Sequence, residues 1–481
     1  MQDGLPSSRR NVCTNSNGGL RAARPTQDFM NDNKLKKILY KLSYTKIVAG
    51  GYFLLLMIGT FLLMLPVSAN SGEWTSFPDA LTTATSASCV TGLIVFDTFT
   101  QWSGFGQAVL LFLIQVGGLG YMTIIMFISV LIGRKIGIRE RGLLKESTNA
   151  LQMGGLVALA KKAIFGTLLF EGAGAILLFL RFLKYFPVGK ALWFGIFHSV
   201  SSFCNAGFDL MGAIEPYSSV THFSSDPFVL SVLSVLIFTG GIGFIVWNDF
   251  CVHKFRLRKY KLHSKIALFT SICLVFSGAL LIFIAEYSTT LGEMNIFDKI
   301  TNSLFASVSA RTAGMNSFDL ASSSPVTYLV NIIFMLIGGS PGSTAGGMKT
   351  TTIAVLVLAG WANMRNSKHV NIFGRRLEDD VIKKALTVTM IYFSLTVFSS
   401  VLISLTNPSF SLSEVLFEVS SAIGTVGLSV GVTGECNLFG QILLTLLMYC
   451  GRVGSMSFAM IFTEVKSPSH IQMPSEKIII G

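Results

Sequence analysis

Long apolar runs separated by short polar ones dominate the chain, and their lengths set the first expectation. Runs near 47–66, 105–133, 156–183, 227–248, 264–286, 326–359, 382–405 and 437–463 approach or exceed the ~20 residues with which a helix crosses a bilayer. These candidate spans fall into pairs. Between the members of each pair lies a shorter, Ser/Thr-rich stretch, near 75–93, 190–208, 296–315 and 412–428. Each is too short to span, and long enough to enter the membrane as a half-helix and return.

Composition agrees with this pattern. Of 481 residues, 51% are apolar and 13% charged, about half the charge of a soluble domain, which argues against a water-soluble enzyme. The net charge of +12 comes from 37 basic and 25 acidic side chains, and its position along the chain explains it. Residues 133–163 hold seven Lys/Arg, 248–266 six and 359–385 six, whereas 67–104 and 406–440 hold none. The positive-inside rule then places both termini and the loops between pairs in the cytoplasm of a multi-pass cell-membrane protein. The half-helices dip in from outside. The basic excess therefore reflects topology in membrane lipid, and no nucleic-acid partner is expected. Seven cysteines without a CxxC pair, scattered histidines and no HExxH offer no metal-centred catalysis, so the chain is not read as an enzyme.

Each half-helix stretch ends in a glycine peptide. These are Val90-Thr91-Gly92, Asn205-Ala206-Gly207, Thr312-Ala313-Gly314 and Thr425-Val426-Gly427, with glycines 115, 107 and 113 residues apart. Serines and threonines recur just upstream of each. The expected fold is therefore an all-α polytopic membrane protein of eight transmembrane helices and four re-entrant half-helices. It consists of four tandem membrane–pore-loop–membrane repeats with pseudo-fourfold symmetry around one pore. The repeats are expected at 34–145, 146–260, 261–370 and 371–466. A polar leader, disordered or upstream of the native start, is expected at 1–33, and a cytoplasmic tail at 467–481. Non-helical backbone at membrane depth survives only against protein or a water-filled cavity. Four such peptides around one axis can replace the hydration shell of a dehydrated ion with carbonyl oxygens, as in the TVGYG filter of potassium channels; Thr425-Val426-Gly427 matches its first three letters.

The run after the third glycine peptide is broken by Gly338-Gly339-Ser340-Pro341-Gly342-Ser343-Thr344-Ala345-Gly346-Gly347-Met348-Lys349-Thr350. So many glycines and a proline do not continue a helix cheaply. The Lys does not directly follow the second glycine of a GxxxxG, as a phosphate-binding Walker loop requires. A flexible plug below the filter is the expected role. Arg452 falls mid-span in Gly451-Arg452-Val453-Gly454, where a charge requires a protein or water partner.

These residues resemble the Trk/Ktr/HKT superfamily of cation transporters, and specifically the membrane subunit of bacterial Ktr-type potassium uptake systems, over about 40–465. The resemblance implies potassium uptake through a selective, gated, channel-like pore, with K+ bound at the glycine peptides. It implies 338–350 as an intramembrane gating loop facing Arg452. It also implies a homodimer regulated by a cytosolic ring of nucleotide-binding RCK subunits, with Na+ as a possible activator. Gly92 favours potassium over sodium, and the short polar segment before the first span favours the Ktr type. The rival reading is a Trk-like secondary transporter coupling K+ to H+ or Na+; Glu171 is its one mid-span carboxyl.

Overall fold

In the computed structural model, residues 43–132, 137–147, 156–367 and 369–454 are described. The expected leader and C-terminal tail lie outside the described residues. Among the described residues, four helices are long and apolar enough to cross a membrane alone: α1 (Tyr44–Met64), α6 (Leu156–Phe182), α10 (Leu262–Glu286) and α14 (Asp379–Thr406). Their surfaces invert the soluble pattern. Phe53, Leu54, Ile58 and Phe61 of α1, Phe269, Phe276 and Ile284 of α10, and Phe393 and Phe398 of α14 all stand exposed. Lipid is as apolar as these side chains, so their exposure carries no hydrophobic penalty.

A short helix follows each long one: α2 (Phe77–Cys89), α7 (Val188–Cys204), α11 (Ile296–Ser309) and α15 (Leu412–Gly424). Local chemistry starts several of them. Ser76 accepts from the Asp79 N–H at the head of α2, with Pro78 just inside, and Ser411 and Glu414 form a reciprocal capping box on α15. These helices bury what the long helices lack. Thr82, Thr85, Ser86 and Ser88 of α2, and Ser420 and Ser421 of α15, are all enclosed by protein.

The second runs of the first two pairs depart from the expectation of one unbroken span. The first splits at Gly120 into α3 (Gly104–Leu119) and α4 (Tyr121–Leu131), bent by 88°. Helix α5 (Ile138–Ser147) follows. The second splits into α8 (Pro227–Gly241) and α9 (Phe244–His253), bent by 95°. The third comprises α12 (Pro325–Leu336) and α13 (Thr350–Met364), separated by the glycine-rich segment, and a small hairpin, Asn371–Ile372 with Arg375–Arg376, leads on to α14. The fourth, α16 (Leu438–Val453), ends at Gly454. Only the third break was expected. The cause of the first two is local: Gly120 and Gly243 sit at φ +79° and +97°, a region closed to ordinary side chains at low cost.

The two ends of the described chain meet. Thr82 of α2 shares a 3.0 Å hydrogen bond with Thr445 of α16, and Gln441 donates to Asp79 at 2.9 Å. Small polar contacts of this kind replace hydrophobic contrast as the glue between helices in lipid.

Candidate ion-conduction site

The four short helices deliver their glycine peptides to one place. A methyl group added at Gly92 would lie 2.6 Å from the Ala206 carbonyl oxygen, and one at Gly207 the same distance from that of Ala313. One at Gly314 would overlap the Val426 oxygen, and one at Gly427 the Thr91 oxygen. The contacts thus run first to second, second to third, third to fourth, and fourth back to first. All four glycines have positive φ, from +72° to +98°. Close approach and backbone geometry both demand glycine here.

Each peptide is braced by its own helix. The Thr91, Ala206, Ala313 and Val426 N–H groups donate to the Ser86, Ser201, Ser309 and Ser421 carbonyls at 2.8–2.9 Å. The serine hydroxyls then take two forms. Ser86 and Ser421 accept from the Gly92 and Gly427 N–H at 3.0 Å; Ser201 and Ser309 donate to the Phe208 and Met315 carbonyls. The third peptide also departs at its entry: Val90, Asn205 and Thr425 cap their helices in the left-handed region, whereas Ala310 stays right-handed. Asn205 and Thr312 share a 2.7 Å hydrogen bond, tying the second peptide to the third. The Thr91 and Thr425 hydroxyl oxygens are buried without a hydrogen-bond partner. Oxygens stripped of water and left unpaired are costly unless something else uses them. Four helix C-termini converge on the same point, each carrying roughly half a negative charge.

Outside the ring lies a 430 Å³ cavity lined by all four glycines, with Asp97, Asp209, Asp319 and Glu435 on its wall. Asp97 is 4% exposed, and its carboxylate is taken up by the Phe99, Thr100 and Tyr217 N–H groups. Burial, and then the nearby Asp97 charge, push the Asp209 carboxyl up to about 7, against a 2.9 Å bond from the Met211 N–H that favours its ionised form.

Inside the ring lies the glycine-rich segment, and it is no loose plug. Gly338 N–H donates to the Met348 carbonyl (2.7 Å), Ser340 N–H to that of Gly241 (2.9 Å), and Thr344 N–H to that of Gly240 (3.3 Å). The Thr344 hydroxyl reaches the Phe203 carbonyl at 3.1 Å, and the Gly342 carbonyl accepts from Phe244 N–H at 2.8 Å. Ser343 donates to Ser340, and Lys349 to the Ala345 and Gly346 carbonyls. Pro341 and Gly342 sit at the turn, half-buried, while Gly339 is buried under Ala345. A methyl group added to Gly346 would overlap the Thr425 hydroxyl, and one on Gly347 would lie 2.7 Å from the Gly424 carbonyl. The segment therefore abuts the fourth glycine peptide directly.

Arg452 closes the arrangement. Its guanidinium donates to the Thr344 carbonyl and to those of Gly117 and Gly118, the last at 3.0 Å. Carbonyls at a helix C-terminus carry partial negative charge and lack intrahelical partners, so a cation suits them. One arginine thus joins the glycine-rich segment to the bend between α3 and α4. Its position has a sequence signal that the run analysis missed. Gly117-Gly118-Leu119-Gly120, Gly240-Gly241-Ile242-Gly243, Gly338-Gly339-Ser340-Pro341 and Gly451-Arg452-Val453-Gly454 all mark the breaks. Arg452 stands where the other three have the second glycine. Methyl groups on Gly117, Gly240 and Gly451 would overlap the Ser88, Phe203 and Ile423 carbonyls, each four residues before the glycine of its ring peptide.

Glu171 lies elsewhere. Its carboxyl is 5% exposed, takes a 3.1 Å bond from the Gln115 amide and faces the Cys204 thiol, behind α7. It is not on the cavity wall.

The chain was compared with known proteins. The model of the TrkH cation transport protein family matches residues 52–473. The chain is 38% identical over 452 residues to the potassium/sodium uptake protein NtpJ of Enterococcus hirae, covering 93% of this chain and 99% of that one. It is 36% identical over 438 residues to the Ktr system potassium uptake protein B of Bacillus subtilis, covering 91% and 96%. The fold matches the crystal structure of the potassium transporter TrkH from Vibrio parahaemolyticus with a TM-score of 0.70 at 19% identity, over 88% of this chain and 85% of that one. The chain belongs to the TrkH family of cation transport proteins.

Proposed function

We propose that the chain takes up potassium through a selective, gated pore whose narrowest part is the ring of four glycine peptides. The observation that carries this reading is the closed cycle of contacts from Gly92 through Gly207 and Gly314 to Gly427 and back. Only a shared axis makes such a cycle worth its steric demands. The reading takes the chain as four tandem repeats about a pseudo-fourfold axis. The peptide carbonyls and the Thr91 and Thr425 hydroxyls replace the water of a K+ ion, the four helix ends favour its charge, and the outer carboxylates concentrate it. Residues 338–349, held by Arg452, form the gate. The names of the Enterococcus and Bacillus relatives, which speak of potassium or sodium uptake and of the Ktr system, support K+ as cargo. The proposal extends, on the family resemblance, to Na+ as an activator and to a homodimer governed by a nucleotide-binding RCK ring. Coupled symport is the lesser reading, because Glu171 lies off the cavity wall.

Uptake of 86Rb+ into K+-loaded proteoliposomes tests the proposal. Accumulation should follow the K+ diffusion potential and be suppressed by external K+ far more than by Na+. A reversal potential displaced by an imposed H+ or Na+ gradient would instead establish coupling. Absence of any Rb+ flux with a co-reconstituted RCK ring would overturn the pore.

A further inference from the structure

Two of the four short helices hold the N–H found three residues past their own glycine. Nine residues before Gly427, Glu418 is fully buried on α15. Its Oε1 accepts from the Ser429 hydroxyl (2.8 Å), the Thr433 N–H (3.1 Å) and the Thr433 hydroxyl, and its Oε2 from the Val430 N–H (3.4 Å). Nine residues before Gly207, His198 is fully buried on α7 among the rings of Phe182, Phe194 and Phe197. The Leu210 N–H donates to its Nε2 at 3.3 Å. An N–H group can only donate, so Nε2 carries no proton, and Nδ1–H donates to the Phe194 carbonyl at 2.8 Å. Both side chains therefore hold the N–H found three residues past a filter glycine, at Val430 and at Leu210. At the matching positions of the other two helices, Thr83 bonds only its own helix, through the Asp79 carbonyl at 2.8 Å, and Phe305 is apolar.

The two struts stand opposite each other. Gly207 and Gly427 each contact Gly92, and the contact cycle leaves them across the ring. What Glu418 holds faces the outer cavity, whose wall includes Ser429 and Val430, and the buried Leu210 held by His198 directly follows Asp209 of the same wall. We propose that Glu418 and His198 are a diagonal pair of positioning residues that set the outer rim of the ion pathway, and through it the discrimination between K+ and Na+. This rests on the reading of the ring as a potassium pathway. A ring tuned to a larger cation loses its preference when its oxygens can drift inward around a smaller one. Buried side chains with several convergent hydrogen bonds resist that drift, because releasing a donor into a dry interior leaves it unsatisfied.

The test uses the full-length chain co-reconstituted with its RCK ring in liposomes, with 86Rb+ uptake competed by K+ or Na+. Glu418→Ala and His198→Phe should each lower the Rb+ preference over Na+ by about tenfold, the size expected for one lost buried hydrogen-bond set. Glu418→Gln, which keeps one acceptor oxygen, should fall between, and His198→Gln, whose carbonyl oxygen can replace Nε2, should recover most of the loss. Thr83→Ala should leave competition unchanged. Variants that transport with wild-type competition would overturn the proposal, as would an equal loss in Thr83→Ala, which would indicate general loosening of these helices. If Glu418→Ala yields no monodisperse protein, Glu418→Gln and His198→Phe decide the matter. A wild-type chain without Rb+ flux sinks the pore itself, and the struts with it; a transporting wild type with indifferent variants sinks the struts alone.

Discussion

Two glycine-rich regions meet inside this protein, and they are built on opposite plans. The ring of four peptides is braced locally: the N–H groups of each donate to a serine four to six residues earlier on its own helix. The segment at 338–349 is braced by strangers. Its partners are the ends of α7 and α8, the start of α9, and Arg452 from the far end of the described chain. Local bracing keeps a shape whatever the rest of the molecule does. Bracing from several helices makes a segment depend on how those helices sit, which is what a gate requires. Both regions use glycine. In the ring it answers to positive φ and to neighbouring backbone; in the segment it admits close packing under the fourth peptide.

The sharpest way to break this contrast is at the ring. Gly92→Ser places a side chain at φ +94° and against the Ala206 carbonyl, so K+ over Na+ selectivity should fall by tenfold or more, on the order of the 1–3 kcal/mol stored in such strain. Unchanged Rb+/Na+ competition would remove Gly92 from the filter. Next comes the segment beneath. Removing about six residues from within 339–348 should raise flux several-fold without a cytosolic partner, because the non-helical backbone that fills the pathway is gone. A folded deletion variant with background flux would end its role as a gate. Arg452→Gln removes the charge from three carbonyl contacts, each worth about 1.5–3 kcal/mol when made to a charged donor, and should give a smaller leak. Flux equal to wild type would show that the other contacts suffice.

The smallest effect lies outside the ring. With its carboxyl at about 7, Asp209 gains a proton as pH falls from about 8 to 6, and the cavity loses negative charge that attracts K+. Half-saturation for Rb+ should therefore rise about twofold over that range. Asp209→Asn should show the weaker affinity throughout and a flatter profile; an identical pH dependence in that variant would assign the titration elsewhere. The stability sign is opposite to that of an ion-paired aspartate. The folded state binds the extra proton, so this group favours folding below about 4 and loses that contribution as pH rises through about 7.

Much of the site was legible because its chemistry is periodic. The four ring glycines, the break at 338–350 and mid-span Arg452 all stand out against apolar runs, and the short helices lie where their Ser/Thr content put them. Two bends escaped. The runs at 105–133 and 227–248 read as whole spans by hydropathy, which is blind to backbone angle, although Gly117-Gly118-Leu119-Gly120 and Gly240-Gly241-Ile242-Gly243 held the signal. Glu418 and His198 escaped for another reason. A single acidic residue and a single histidine on two different helices share no pattern until both are seen to reach the same point past a glycine.

What the chain determined by itself is what depends on local chemistry: which runs suit lipid, which stretches start as capped short helices, and where only glycine fits. Tertiary structure alone decided which carbonyls each element meets. The partners of Arg452 at Gly117, Gly118 and Thr344 are separated from it by more than a hundred residues of chain. Their meeting follows from how broken helices pack in a solvent that supplies no hydrogen bonds, where each exposed backbone group must find its partner in protein.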